Sequence, residues 1–259
     1  INIGGVNAII LSNTGTLAKA LVMPGSSSGN VSLRGVLSPD NFTLLPAAVP
    51  NTQDGNKLVD GTTLGSQQGY SVSISADGST ALVGGLNYSS NAGTVWFYVL
   101  QNGLWVQQGN KVYGNLASGY ARIGYSASIS ADGNTALVGG NYDNSGIGAA
   151  WVFTRNNGVW TQQGKKLIGT GYVGLPEQGS SVSISADGNT AIIGGAKDNN
   201  EIGAAWIFSR DNGEWTQVGD KLIGSDFTGI PRQGISVAMS ADGKTAAIGG
   251  FTSDSGQGG

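Results

Sequence analysis

The segment 181–195 reads SVSISADGNTAIIGG, and its relatives begin at Ser71, Ser126 and Ser236, so the four copies stand 55 residues apart. A constant step means one structural unit used repeatedly, because scattered similarity would drift in spacing. Within the copy at 71, residues 69–75 alternate Val72 and Ile74 with serines, the period-two pattern of a strand. Ala76-Asp77-Gly78-Ser79 predicts a tight turn in which glycine supplies the left-handed backbone. A second strand over 80–83 ends at Gly84-Gly85, a third covers 94–100, and Gln101-Asn102-Gly103 turns it into a fourth over 104–108. Four antiparallel strands per unit is the blade of a β-propeller, and the expected fold is all-β with about five blades, the last incomplete.

The units divide the chain into full blades at 71–113, 126–168 and 181–223 and a partial one at 236–259. Residues 1–61 read as an eroded first blade. There Ile10 to Ala18 follow the pattern of Ser73 to Ala81 around a turn at Asn13 to Gly15, with a third strand over 30–37 and a fourth over 42–45. The repeat breaks off at Gly256-Gln257-Gly258-Gly259, where a third strand should begin, so a second copy, a neighbouring subunit or a further segment is expected to complete the open blade.

Each full unit carries one Trp in its third strand and one in its fourth, nine residues apart: Trp96 and Trp105, Trp151 and Trp160, Trp206 and Trp215. Exposed, such rings would be platforms for sugars. Their place inside apolar strands, as in Ala150-Trp151-Val152-Phe153, predicts that they fill the space between blades instead.

Composition narrows the function. Charged residues make up only 11% of the chain, against about a quarter in an average soluble domain, and 45 residues are Gly. A surface covered by Ser, Thr, Asn, Gln and Gly suits the outside of a cell or a virion. A net charge of −3 with 13 unclustered Lys and Arg gives no footprint for nucleic acid. No His and no Cys are present, which removes Ser-His-Asp and Cys-His nucleophilic sites, His- and thiolate-ligated metal centres and disulfides. No apolar run approaches the roughly 18 residues of a membrane span, and INIGGVNAII lacks the charged start of a signal peptide, so any export signal is expected to have been removed or to lie upstream. Carboxylates at Asp143, Asp198 and Glu201, after the second strands, are the only candidates for paired-carboxylate hydrolysis. They recur from blade to blade, which marks them as solvated loop residues.

The blade resembles the FG-GAP repeat of integrin α-subunit propellers and of many microbial surface proteins. Ile123-Gly124-Tyr125-Ser126 is close to its Phe-Gly-x-Ser opening, while Gln68-Gly69-Tyr70-Ser71 and Gln178-Gly179-Ser180-Ser181 keep the Gly and Ser. The pairs Gly84-Gly85, Gly139-Gly140, Gly194-Gly195 and Gly249-Gly250 stand where Gly-Ala-Pro usually stands. The resemblance, over about residues 65–250, implies a propeller used in adhesion, ligand binding or architecture. Calcium-binding members alternate several oxygen ligands in the turn after strand one, whereas each turn here has a single carboxylate, Asp77, Asp132, Asp187 or Asp242. No metal and no cofactor is expected, and the turn aspartates read as self-capped Asp-Gly turns.

The expected function is therefore a non-enzymatic, surface-displayed propeller that binds a protein or glycan ligand or assembles an extracellular or virion structure. A lectin with sugar sites between blades is the alternative. Contact residues are sought where the repeats differ, in the connections from strand four to the next strand one, because variable loops on a rigid scaffold carry binding. These connections, 114–125, 169–180 and 224–235, contain Tyr120, Arg122, Tyr172, Glu177, Phe227 and Arg232.

Overall fold

A computed structural model describes residues 55–59, 65–87 and 92–251, together with the backbone of six short strands between residues 2 and 42. The chain forms two compact units, Ile1–Lys57 and Leu58–Gly259. In the first, β1 (Asn2–Ile3), β2 (Val6–Asn7), β5 (Gly29–Leu33) and β6 (Val36–Phe42) form a sheet in the order β2-β1-β5-β6, and β3 (Ile9–Asn13) pairs with β4 (Ala18–Leu21). Leu33 pairs with Val36, so the stretch 30–37 is the meeting of two antiparallel strands and not one strand. The predicted turn at Asn13 to Gly15 and the strand over 42–45 lie mostly outside the described residues.

The second unit is the repeat. Its sheets are β7 (Ser71–Ile74), β8 (Thr80–Gly85), β9 (Thr94–Gln101) and β10 (Leu104–Gln107); β11 (Ser126–Ile129), β12 (Thr135–Gly140), β13 (Ala149–Asn156) and β14 (Val159–Gln162); and β15 (Ser181–Ile184), β16 (Thr190–Gly195), β17 (Ala204–Asp211) and β18 (Glu214–Gln217). Each is an antiparallel meander in sequence order, and β19 (Ser236–Met239) pairs with β20 (Ala246–Gly249) in a fourth. The protein is an all-β propeller of four-stranded blades.

Blades stack face to face, which explains why strand three is apolar on both sides. Trp151 and Phe153 pack with Leu82, Val95 and Phe97 of the preceding blade. On the opposite face Ala150 and Val152 pack with Ile184, Ile193 and Trp206 of the following blade. The third-strand rings Trp96, Trp151 and Trp206 are fully buried. Trp160 stacks on Phe97 with ring centroids 3.7 Å apart, and its Nε1 donates to Gln108 Oε1 of the preceding blade. Trp105 and Trp215 are half-buried. The tryptophans fill the inter-blade space.

The serines that alternate with Val and Ile in strand one are half-buried and bonded to the next blade. Ser73, Ser128 and Ser183 Oγ accept the backbone N–H of Ile129, Ile184 and Met239 on the next blade. Ser71, Ser126 and Ser181 Oγ donate to the carbonyls of Gly124, Gly179 and Gly234 at 2.7 to 2.8 Å. Backbone bonds from Ala76 to Ala131, Ala131 to Ala186 and Ala186 to Ala241 extend the same series across the turns. First strands thus lie side by side from blade to blade, cross-linked by hydroxyls that a half-buried position would otherwise leave unsatisfied.

Strand two ends at the glycine pair as predicted, but the pair belongs to the strand instead of following it. Gly84 and Gly85 pair with Val95 and Thr94, and the other blades repeat this. A Cβ on Gly194 would lie 2.0 Å from the carbonyl oxygen of Gly234, and one on Gly195 would lie 2.8 Å from the Trp206 ring. Glycine is needed because the next connection crosses strand two at backbone distance.

Candidate functional site

In a meander the loop from strand two to three and the connection from strand four to the next strand one emerge at the same end of the blade. Here they are stitched together. Gln178 N–H donates to Ile147 O on the preceding blade, while Pro176 O accepts from Lys197 on its own blade. Ile123 with Ala92 and Tyr142 with Ala121, and Gln233 with Ile202 and Phe251 with Pro231, repeat the pattern. The connections vary in side chains but are held at both sides by backbone hydrogen bonds, so they form a rigid ridge.

The six residues expected to contact a ligand occupy three positions of the repeat. Arg122, Glu177 and Arg232 share one of them, with φ of 56°, 54° and 53°. That left-handed backbone is sparsely populated by non-glycine residues and points all three side chains from one local geometry. Arg122 lies 4.9 Å from the Tyr142 ring centroid. Glu177 accepts from Lys197 Nζ at 2.7 Å and from Asn141 Nδ2 at 3.3 Å. Arg232 donates through Nε to Glu201 Oε2 at 2.7 Å and lies 5.5 Å from the Phe251 ring. Glu201 is therefore paired to a guanidinium, which is not the arrangement of a hydrolytic dyad.

Tyr120 is 57% exposed, and the residues at its position in the next two blades, Leu175 and Ile230, are 56% and 51% exposed. These two were not singled out in the sequence, although successive steps of 55 from Tyr120 would have found them. Tyr172 and Phe227 take the third position and are less available. Tyr172 packs against the core between the second and third full blades, and Phe227 lines a cavity beside β20.

Near the starts of the first strands, the Tyr70 and Tyr125 rings meet at 5.1 Å. Burial, aided by the Tyr70 hydroxyl and the Glu177 carboxylate, pushes the Tyr125 phenol up to about 12, so it stays neutral. Asn141 is buried next to Glu177, and among the described residues its Oδ1 has no hydrogen-bond partner. An unsatisfied buried acceptor is rare enough to mark a place for a donor.

Asp143 and Asp198, expected as solvated loop residues, are fully buried. Asp143 pairs with Lys166 Nζ at 2.5 Å and accepts the N–H of Ser118; Asp198 pairs with Lys221 and accepts the N–H of Val173. They recur because each one anchors a connection to its loop. The opposite end of the blades is also taken up structurally. Asp77, Asp132, Asp187 and Asp242 each accept from a serine hydroxyl two residues before them and a backbone N–H two residues after. Arg155 and Arg210, also missed in the sequence, reach across to Thr80 and Gln108 and to Thr135 and Gln163 of the preceding blade. Among the described residues no group of three or more acidic side chains could hold a metal, and no helix is long and apolar enough to cross a membrane.

The arrangement is that of a repeat propeller with one rigid, mixed apolar and charged end. No family model and no curated protein matches the chain. Among solved structures it is similar to hydrazine synthase of Kuenenia stuttgartiensis, at 20% identity and TM-score 0.44 over 74% of this chain and 45% of that one. It is also similar to TolB from Acinetobacter baumannii, at 14% identity and TM-score 0.38 over 69% and 37%, and to a functionally unknown protein from Desulfotomaculum acetoxidans, at 20% and 0.43 over 73% and 53%. This chain thus spans about half the length of those proteins or less. Likeness at this level transfers no activity, and the fold rests on the sheets themselves.

Proposed function

We propose that the chain is a non-enzymatic propeller module, displayed on the surface of a cell or virion, that docks a protein partner on the ridge formed by its connections. The observation that carries this reading is the recurrence of one exposed large apolar residue per blade, Tyr120, Leu175 and Ile230, on backbone that is fixed at both sides. Exposed apolar groups in series, flanked by Arg122, Tyr142 and Arg232, have the aromatic and arginine character of interface cores. The paucity of charge and the FG-GAP resemblance support an extracellular setting. The recurrent acidic residues are used up in structural pairs, which leaves no distinctive catalytic constellation among the described residues. A lectin built on the third-strand tryptophans is disfavoured, since those rings are fully buried.

The test is retention of partners from a surface-protein fraction on immobilised chain, compared with a Tyr120→Asp, Leu175→Asp, Ile230→Asp variant and with Asn212→Asp at the opposite end of the blades. A partner held by the parent chain and the Asn212 variant, and lost by the triple variant, is expected. Retention by all three would refute the ridge, and turnover of a screened glycan or polymer would refute the non-enzymatic reading.

A further inference from the structure

A cavity of about 480 Å³ lies between the second and third full blades, where the connection leaving β14 passes the Trp215 ring. Its walls include Lys165, Leu167, Ile168, Phe208, Glu214 and Trp215. One step of 55 residues earlier, between the first and second full blades, the matching space holds a ring. Phe97 stacks on Trp160 with ring centroids 3.7 Å and planes 6° apart, and it meets Phe153 edge-on at 6.4 Å. Trp215 and Phe208 stand 55 positions after Trp160 and Phe153, and both line the cavity. The residue 55 positions after Phe97 is Val152.

The frame around the indole is kept from one interface to the next. Trp160 Nε1 donates to Gln108 Oε1 at 2.9 Å and Trp215 Nε1 to Gln163 Oε1 at 3.1 Å, while Arg155 and Arg210 lie 5.3 and 5.4 Å from the ring centroids of Trp160 and Trp215. Both indoles are fixed by the same partners, yet Trp160 is only 7% exposed and Trp215 is half-buried. Val152 packs in one core with Phe208 and Trp215, but its two methyl groups replace a phenyl ring. What the second interface lacks is the stacking ring.

We propose that this cavity is a binding site for a small uncharged molecule carrying one planar aromatic ring, which stacks on Trp215 and meets Phe208 as Phe97 does Trp160 and Phe153. An apolar cavity on the order of 150 Å³ is enough to hold benzene, so the space suffices for a single ring. Stacking on one aromatic face with edge contact to a second favours a flat ring over a puckered, saturated one. Lys166 is engaged by Asp143, and the exposed Lys165 and Glu214 bring opposite charges to the wall, so the site favours no net charge.

The probe is p-cresol, titrated by calorimetry into the 259-residue chain, with 4-methylcyclohexanol, its saturated counterpart, and methyl β-D-glucopyranoside as controls. Saturable one-to-one binding of p-cresol is expected, at least fivefold tighter than that of 4-methylcyclohexanol, with none of the glucoside. Val152→Phe supplies the ring from within the chain. It should weaken p-cresol binding at least tenfold while the midpoint of thermal unfolding stays the same or rises, as cavity filling does. Phe97→Val should do the reverse, opening a second site beside Trp160 and raising the stoichiometry to two. Absence of saturable p-cresol binding, equal binding of its saturated counterpart, or unchanged binding by Val152→Phe overturns the site. Failure of Val152→Phe to fold overturns it too, since the cavity would then have no room for a ring, as does a stoichiometry of one for folded Phe97→Val. Binding of the glucoside in place of p-cresol would make the occupant a sugar and overturn the aromatic assignment.

Discussion

Gly194 and Gly249 occupy the same place in two successive copies of the repeat, and replacing each by Ala should have opposite consequences. At Gly194 the new Cβ would stand 2.0 Å from Gly234 O and 2.4 Å from Ser181 Oγ. An ordinary carbon–oxygen contact needs more than 3 Å, so the connection must lift by about 1 Å and the Ser181 hydroxyl must release Gly234. Overpacking costs about 1–3 kcal/mol and a lost hydrogen bond about 1, giving a destabilisation of about 2–4 kcal/mol. At Gly249 the nearest atom among the described residues is Ser236 Cβ at 3.6 Å, an ordinary contact, and φ is not left-handed. There Ala restricts the unfolded chain and is expected to be neutral or to stabilise by about 0.5 kcal/mol. Urea unfolding followed by tryptophan fluorescence measures both, with unchanged slope as the check that the unfolded state is comparable. Equal effects at the two positions, or a Gly194→Ala cost below about 1 kcal/mol, would refute the claim that the glycine pair exists for the crossing connection.

Trp206→Ala should cost about 3–5 kcal/mol, as expected for a fully buried large ring, and the half-buried Trp105→Ala distinctly less, both read from the same unfolding curves. Asp198→Ala should cost about 3–5 kcal/mol because it strands the mostly buried Lys221 ammonium and the Val173 N–H; a loss under 1 kcal/mol would show that the pair contributes little. Acid should erode stability through the turn aspartates. Burial works to raise the Asp187 carboxyl, but hydrogen bonds from Ser185 and Asn189 and the nearby Arg210 outweigh it and hold it below its ordinary 3.8. A folded value below the unfolded one stabilises the fold above pH 3.8, and that contribution disappears as pH falls through the folded value. Asp187→Asn should therefore flatten the acid limb of a stability–pH curve while leaving the shape of the curve above about pH 5 unchanged; an unaltered acid limb would refute the assignment.

Strand positions, turns and the blade unit were legible because they depend on neighbours within about ten residues. Alternating Val72 and Ile74, the turn at Ala76 to Ser79 and the apolar third strand each declare themselves locally. The roles of several individual residues were not legible. Asp143 reads as a loop carboxylate until Lys166 and the Ser118 N–H are seen to enclose it. The serines of strand one show only as an alternation with Val and Ile until their partners on the next blade appear, 53 or 56 residues away. Of the candidate ligand residues that the sequence places in the connections, Tyr172 and Phe227 turn inward, while Leu175 and Ile230, which it passed over, turn out.

By itself the sequence determined the unit and its step, because hydrophobic alternation and glycine turns act over a few residues and survive repetition. Only the tertiary structure decided which glycines are indispensable, which carboxylates are buried and which aromatic rings are exposed. Those properties belong to the contact between one blade and the next, and no single unit contains that contact.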